Sequence, residues 1–225
     1  MACVKPGFQN DSTRGNYMNF VLYWFPFSGS LAPMAVLEEV GVPYEKTLID
    51  ISKGEHLSPE YLKIHPLGLV PAFRLENGKY IFESAGICMY LADLFPEYKL
   101  APPFDGPGRG VYNQWMLFLA SSIYPVYGRI AHPEWYSIEP SHSSEVKVAA
   151  ISQQRNQWMV VEKALENRSW LIDEKFSIAD IYMLMLSTWD EDEDEFALMF
   201  PNVTRVAAST AKRRGVQRAL RLHSV

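Results

Sequence analysis

The chain has 225 residues, 48% of them apolar and 21% charged, an ordinary globular composition with length enough for one large domain or two small ones. Its net charge of −5, without a clustered Lys/Arg excess, excludes nucleic acid and anionic membrane as electrostatic partners. Two cysteines, Cys3 and Cys88, form no CxxC and no Cys/His cluster, which argues against a disulfide framework, a metal site and dithiol redox chemistry.

Residues 1–17 are polar with scattered Gly, Pro and Asn and read as a disordered extension. The apolar run Phe20–Phe27 is too short to cross a bilayer and lacks a basic region before it, so the expected compartment is the cytoplasm. Within it, Asn19–Phe25 is β-branched and aromatic and predicts a buried strand ending at Pro26. Ser28-Gly-Ser30 supplies a turn, and Leu31–Val40 carries helical periodicity closed by Gly41. Pro43–Ile51 reads as a second strand, giving a β-α-β opening whose crossover makes the two strands parallel. Ser58 then caps a short helix with Pro59 at its first position. Leu69–Leu75 and Lys79–Phe82 are strands joined through Asn77-Gly78, a strong hairpin signal. Glu83-Ser84 opens a helix with a buried stripe of Ile87, Tyr90, Leu91 and Leu94, ending at Pro96.

Pro and Gly punctuate residues 100–110 too densely for a regular element, and this stretch reads as a linker. Four helices are expected beyond it: Val111–Ile130, Ser144–Glu166, Ser177–Trp189 and Val203–Arg214. The third opens with a capping box, Ser177-Ile-Ala-Asp180, flanked by a Phe176/Ile181 staple. The acidic run Asp190–Glu195 reads as a solvated loop.

Three places in the first half can carry chemistry. Ser28 and Ser30 stand at a strand-to-helix junction, where a hydroxyl and a helix N-terminus together can hold a thiolate; either serine can equally be a plain cap. Pro71 enters a strand after Val70; a cis bond there would leave the amide and carbonyl of Val70 free to pair with an extended peptide, while an ordinary strand-start proline is the simpler alternative. At the last strand-to-helix junction, Ser84 can face a carboxylate and Glu83 an ammonium, or the pair is simply an N-cap.

Taken in order, these segments resemble the cytosolic glutathione transferase family over nearly the whole chain after Tyr17. The resemblance is carried by Leu22-Tyr-Trp-Phe-Pro-Phe-Ser-Gly-Ser-Leu-Ala-Pro33, Lys53-Gly-Glu-His-Leu-Ser58, His65-Pro-Leu-Gly-Leu-Val-Pro-Ala72, Glu83-Ser-Ala-Gly-Ile87 and Phe176-Ser-Ile-Ala-Asp-Ile181. It implies a thioredoxin-like glutathione-binding domain (βαβαββα, residues 18–99), a linker and an all-helical substrate domain at 111–225. It also implies that Val70 pairs with the cysteinyl backbone of glutathione beside a cis Pro71. Glu83 and Ser84 would hold the γ-glutamyl ammonium and carboxylate, and His56 would approach the glycine carboxylate.

Tyrosine-type members place their hydroxyl near Trp24, which has none, and cysteine-type members place their thiol at Gly29. Serine-type alignment falls on Ser28, which is preferred here over Ser30 as the group that favours the thiolate. Phe27, Trp115, Met116 and Leu119 would wall the pocket for a hydrophobic electrophile. Glutathione as cosubstrate, no metal and a homodimer complete the expectation. Glutathione-dependent lyase or dehalogenase chemistry, and a non-catalytic binding role, are the alternatives.

Overall fold

A computed structural model describes residues 19–172 and 175–223; the 1–17 extension and Cys3 lie outside them. The β-branched and aromatic run after Asn19 forms strand β1 (Val21–Trp24), a shorter ladder than the run itself. It crosses over through helix α1 (Leu31–Val40) into the parallel strand β2 (Glu45–Leu48). Helix α1 stops at Gly41, whose φ of 72° lets its amide return to the Leu37 carbonyl.

The strand expected to reach Ile51 ends early because the Asp50 carboxylate accepts from the Ser52 and Lys53 amides. That cap opens two successive 3-10 turns, Ile51–Lys53 and Glu55–Leu57, which periodicity did not show. Helix α2 (Pro59–Leu62) follows, with the Ser58 side chain accepting from the Tyr61 amide. Strands β3 (Ala72–Arg74) and β4 (Tyr80–Phe82) form the antiparallel hairpin, and helix α3 (Ser84–Leu94) completes the unit. The sheet order is β2-β1-β3-β4, with β3 antiparallel to β1: a thioredoxin-like mixed sheet.

The rest of the described chain is helical. Helix α4 (Arg109–Phe118) starts two residues before the expected Val111. The Arg109 guanidinium explains this: it grips the Asp93 carboxylate through two 2.7 Å bonds and also reaches the Pro102 carbonyl, fixing the helix start on α3. The single long helix expected to run to Ile130 is instead interrupted by a π-helical turn, Leu119–Ile123, before helix α5 (Tyr124–Ala131). Pro125 has no amide to give and its ring crowds the carbonyl four residues back, within that turn.

Helix α6 (Ser143–Ala164) and helix α7 (Ile178–Ser187) follow, and the Ser177/Asp180 capping box is formed. The acidic run is a loop only through Asp190–Asp192. The Asp192 side chain caps helix α8 (Glu193–Met199), whose first turn takes up Glu193, Asp194 and Glu195 beside the positive end of the dipole. Asp190 meanwhile accepts from Gln154 and Arg155. Helix α9 (Pro201–Ala211) ends sooner than expected, and a further helix, α10 (Arg214–His223), follows it. The core runs through both halves. Helix α1 is buried along most of its length, packed on α3, α7 and α10.

Candidate functional site

The strand register decides what can meet. Tyr23 of β1 pairs with Ala72 of β3, and Ala72 with Phe82 of β4. The segment after β1 (Phe25–Ser30), the segment before β3 (Val70, Pro71) and the segment after β4 (Glu83, Ser84) therefore leave the sheet at one end. This is the geometric sum of two antiparallel pairings, and it gathers three separate sequence signals into one place.

In the first segment Phe27 adopts φ 52°, a left-handed conformation uncommon for a bulky residue, and is 75% exposed. Ser28 and Ser30 share a network around Phe25. The Ser28 hydroxyl lies 2.7 Å from both the Phe25 carbonyl and the Ser30 hydroxyl, and it accepts from the Ser30 amide at 3.2 Å. The Ser30 hydroxyl lies 3.0 Å from the same carbonyl and accepts from the Phe25 amide. Ser30 is fully buried, whereas Ser28 keeps accessible surface. Ser30 occupies the N-cap of α1 but makes no capping bond with its side chain.

The second segment carries a cis Val70–Pro71 bond. Gly68 just before it has φ 63° and lies so close to the His56 carbonyl that an added Cβ would stand 2.6 Å from that oxygen. The Tyr61 hydroxyl donates to the Leu69 carbonyl at 2.7 Å. His56 and Val70 thus belong to one packed corner. The His56 Nδ1 is buried without a partner among the described residues.

At the third segment Glu83 is exposed with φ 70°, another left-handed non-glycine. Positive φ at two such positions on one sheet end is the kind of backbone constraint that concentrates at functional sites. Ser84 is buried, its hydroxyl 2.8 Å from that of Tyr182 on α7. Glu83 carries its charge into the surroundings of His65, Tyr124 and Tyr182. Burial lowers the His65 pKa, against the pull of that carboxylate.

The expected pocket wall divides. Phe27 is open to solvent, but Trp115, Met116 and Leu119 are packed in the protein core at 6%, 0% and 0% exposure, so they present almost no surface to a ligand. Their apolar periodicity marks a buried face, and protein, not ligand, covers it. A residue the sequence did not single out stands at the site instead: the Tyr124 hydroxyl lies against Gly29, between the two serines. Only its helical register after a π turn could have revealed it. Among the described residues no three His, Cys, Asp or Glu side chains gather as a metal site, and no helix is long and apolar enough to cross a membrane.

Comparison with known proteins agrees with this fold. Residues 18–93 match the family described as glutathione S-transferase, N-terminal domain, and residues 125–213 match glutathione S-transferase, C-terminal domain. Protein LigF from Sphingobium sp. is 31% identical, with 73% of this chain and 76% of LigF covered. Glutathione S-transferase GstA from Escherichia coli O157:H7 is 26% identical over 75% of this chain and 81% of its own. A sphingomonad glutathione S-transferase solved in complex with glutathione superposes with a TM-score of 0.77 at 26% identity, covering 91% of this chain and 99% of that one.

Proposed function

The chain belongs to the glutathione S-transferase family, and from that premise we propose that it binds glutathione across the shared sheet end and activates its sulfur through the Ser28 hydroxyl. The observation that carries the reading is the register, which sets the Ser28 turn, Val70 and Glu83 side by side. Glutathione is a peptide with charge at both ends. Glu83 offers a carboxylate to its ammonium, Ser84 a backbone amide to its α-carboxylate, Val70 main-chain groups to its middle, and His56 a ring to its glycine end.

Ser28 is favoured over Ser30 because it alone has surface to offer. Two hydroxyl protons serve three contacts: Ser28 to Phe25, Ser30 to Phe25 and serine to serine. When Ser28 turns its proton toward sulfur, Ser30 can donate to the Ser28 oxygen, and that polarises the outgoing bond. The thiolate then attacks an electrophilic carbon of an apolar substrate resting on Phe27. A carbon–sulfur bond forms, and the electron pair leaves with the departing group or settles on the substrate.

Losing one hydrogen bond to a charged group costs about 1.5–3 kcal/mol, roughly ten- to a hundredfold in rate. Ser28→Ala is expected to lose that much turnover with a chloronitrobenzene electrophile while glutathione affinity, measured by calorimetry, stays within about threefold. Full turnover in both Ser28→Ala and Ser30→Ala would overturn the hydroxyl mechanism. Product analysis with an aryl ether separates conjugation from glutathione-dependent cleavage, and glutathione binding without turnover on any electrophile would mark a binding protein. The working form is a homodimer in the cytoplasm; light scattering of the purified chain checks the dimer.

A further inference from the structure

We propose that the Tyr124 phenol is a second hydrogen-bond donor to the glutathione sulfur, reaching the thiolate from the helical half of the molecule while Ser28 reaches it from the sheet. The inference rests on the reading above in one respect: it takes the turn at 25–30 as the seat of the sulfur. A Cβ placed on Gly29 would stand 2.6 Å from the Tyr124 hydroxyl and 3.3 Å from two ring carbons. The polar end of the phenol is therefore held against the backbone between Ser28 and Ser30, in space that only a glycine leaves open.

The neighbouring phenols already have partners. The Tyr182 hydroxyl is bonded to Ser84, and that of Tyr127 accepts from Gln154 and Trp158. Tyr124 has ring contacts, with Trp189 edge-on at 5.0 Å and Tyr182 at 6.5 Å, and its hydroxyl makes no hydrogen bond to the described residues. Such a hydroxyl, held by its ring contacts beside a polar turn and bonded to no group among the described residues, is free to donate to an acceptor bound there. Its protonation suits the role: burial, reinforced by the Glu83 charge, pushes the Tyr124 pKa up to about 12, so the group keeps its proton at neutral pH. The π turn at Leu119–Ile123 ends immediately before Tyr124 and sets the face on which it emerges.

Tyr124→Phe tests the hydroxyl and spares the ring. The thiol pKa of bound glutathione, read from the ultraviolet absorbance of the thiolate across a pH titration, is expected to rise by about one unit, with turnover near neutrality falling about tenfold and recovering at high pH. Glutathione affinity and thermal midpoint should stay close to those of the parent. A titration in Tyr124→Phe that matches the parent overturns the inference.

Ser28→Ala, measured in parallel, separates the two readings. A shift in Ser28→Ala alone sinks the Tyr124 role and leaves the serine mechanism standing. A shift in Tyr124→Phe alone does the reverse, and no shift in either removes both. Should Tyr124→Phe fail to fold, Gly29→Ala probes the same contact, since its methyl displaces the phenol. An unshifted thiol pKa in that variant counts against the proposal equally.

Discussion

Glu83 combines a positive φ with an exposed carboxylate on the end of the sheet where Val70 and Ser28 also emerge. A backbone held in this region costs of order 1–3 kcal/mol, and its neighbours must maintain it. Here α3 does so, since the Ile87 amide bonds the Glu83 carbonyl. If that carboxylate meets the ammonium of glutathione, Glu83→Gln should weaken binding at least tenfold, an effect calorimetry would read, while leaving the thiol pKa of the bound tripeptide close to normal. The residues that could be found in the sequence (Ser28, Val70, Glu83) are those beside punctuation, where Pro, Gly or Ser interrupts an apolar run. Tyr124 could not be found this way, because its contact with Gly29 joins residues 95 positions apart through a π turn. Trp115, Met116 and Leu119 show the converse limit. Periodicity tells that a helix face is covered, but it does not tell whether protein or substrate covers it.

Among the elements, the Ser177/Asp180 box does more than cap α7. The Asp180 carboxylate accepts from the Ser177 amide at 2.8 Å and also from the Leu171 amide at 2.9 Å, tying the segment before the helix to its first turn. Removing a buried acceptor leaves both donors unpaired, so Asp180→Ala should destabilise the protein by about 2–4 kcal/mol, visible as a lower denaturant midpoint with little change in slope. This element was legible because hydroxyl and carboxylate stand three residues apart at a helix start. Helix α8 was not legible, because six consecutive acidic residues suggest solvent when composition alone is read. Its formation depends on Asp192 capping Glu195 and on the Arg155 guanidinium reaching Asp190 and Glu195 from α6. Helix α10 was missed for a related reason: its stripe of Val216, Ala219 and Leu220 is thin, and it gains its stability from the face of α1 it covers.

Across the whole molecule, α1 is one of the places where the two halves are joined. The Glu39 carboxylate accepts from Arg213 through Nε at 2.9 Å and Nη2 at 2.6 Å, and from the Gly215 and Val216 amides at the start of α10. At the other end of α10 the His223 ring lies 5.2 Å from that of Trp24 and is 3% exposed. Burial pulls the His223 pKa down to about 4 from its ordinary 6.5. Below pH 6.5 the unfolded chain takes up a proton there that the folded chain refuses. Stability should therefore be fully present above 6.5 and decline as pH falls toward 4, by up to about 3 kcal/mol. Thermal midpoints at pH 7 and pH 5 check this: His223→Phe should narrow the difference between them, and an unchanged difference would show that other groups set the acid response.

The closeness of Gly215 to α1, where an added Cβ would stand 2.4 Å from the Glu39 amide nitrogen, has a consequence for how the chain comes to be folded. The residues that seal this crossing are separated by 176 positions. At 5–20 residues per second, a ribosome takes roughly 9–35 s between the two. Early in that interval β2, β3 and β4 are still to be made, and once they are, the apolar side of the first helix has its sheet but not its final lid. The nascent protein must keep that side sheltered, by chaperone or by delayed compaction, until nearly the entire polypeptide has emerged.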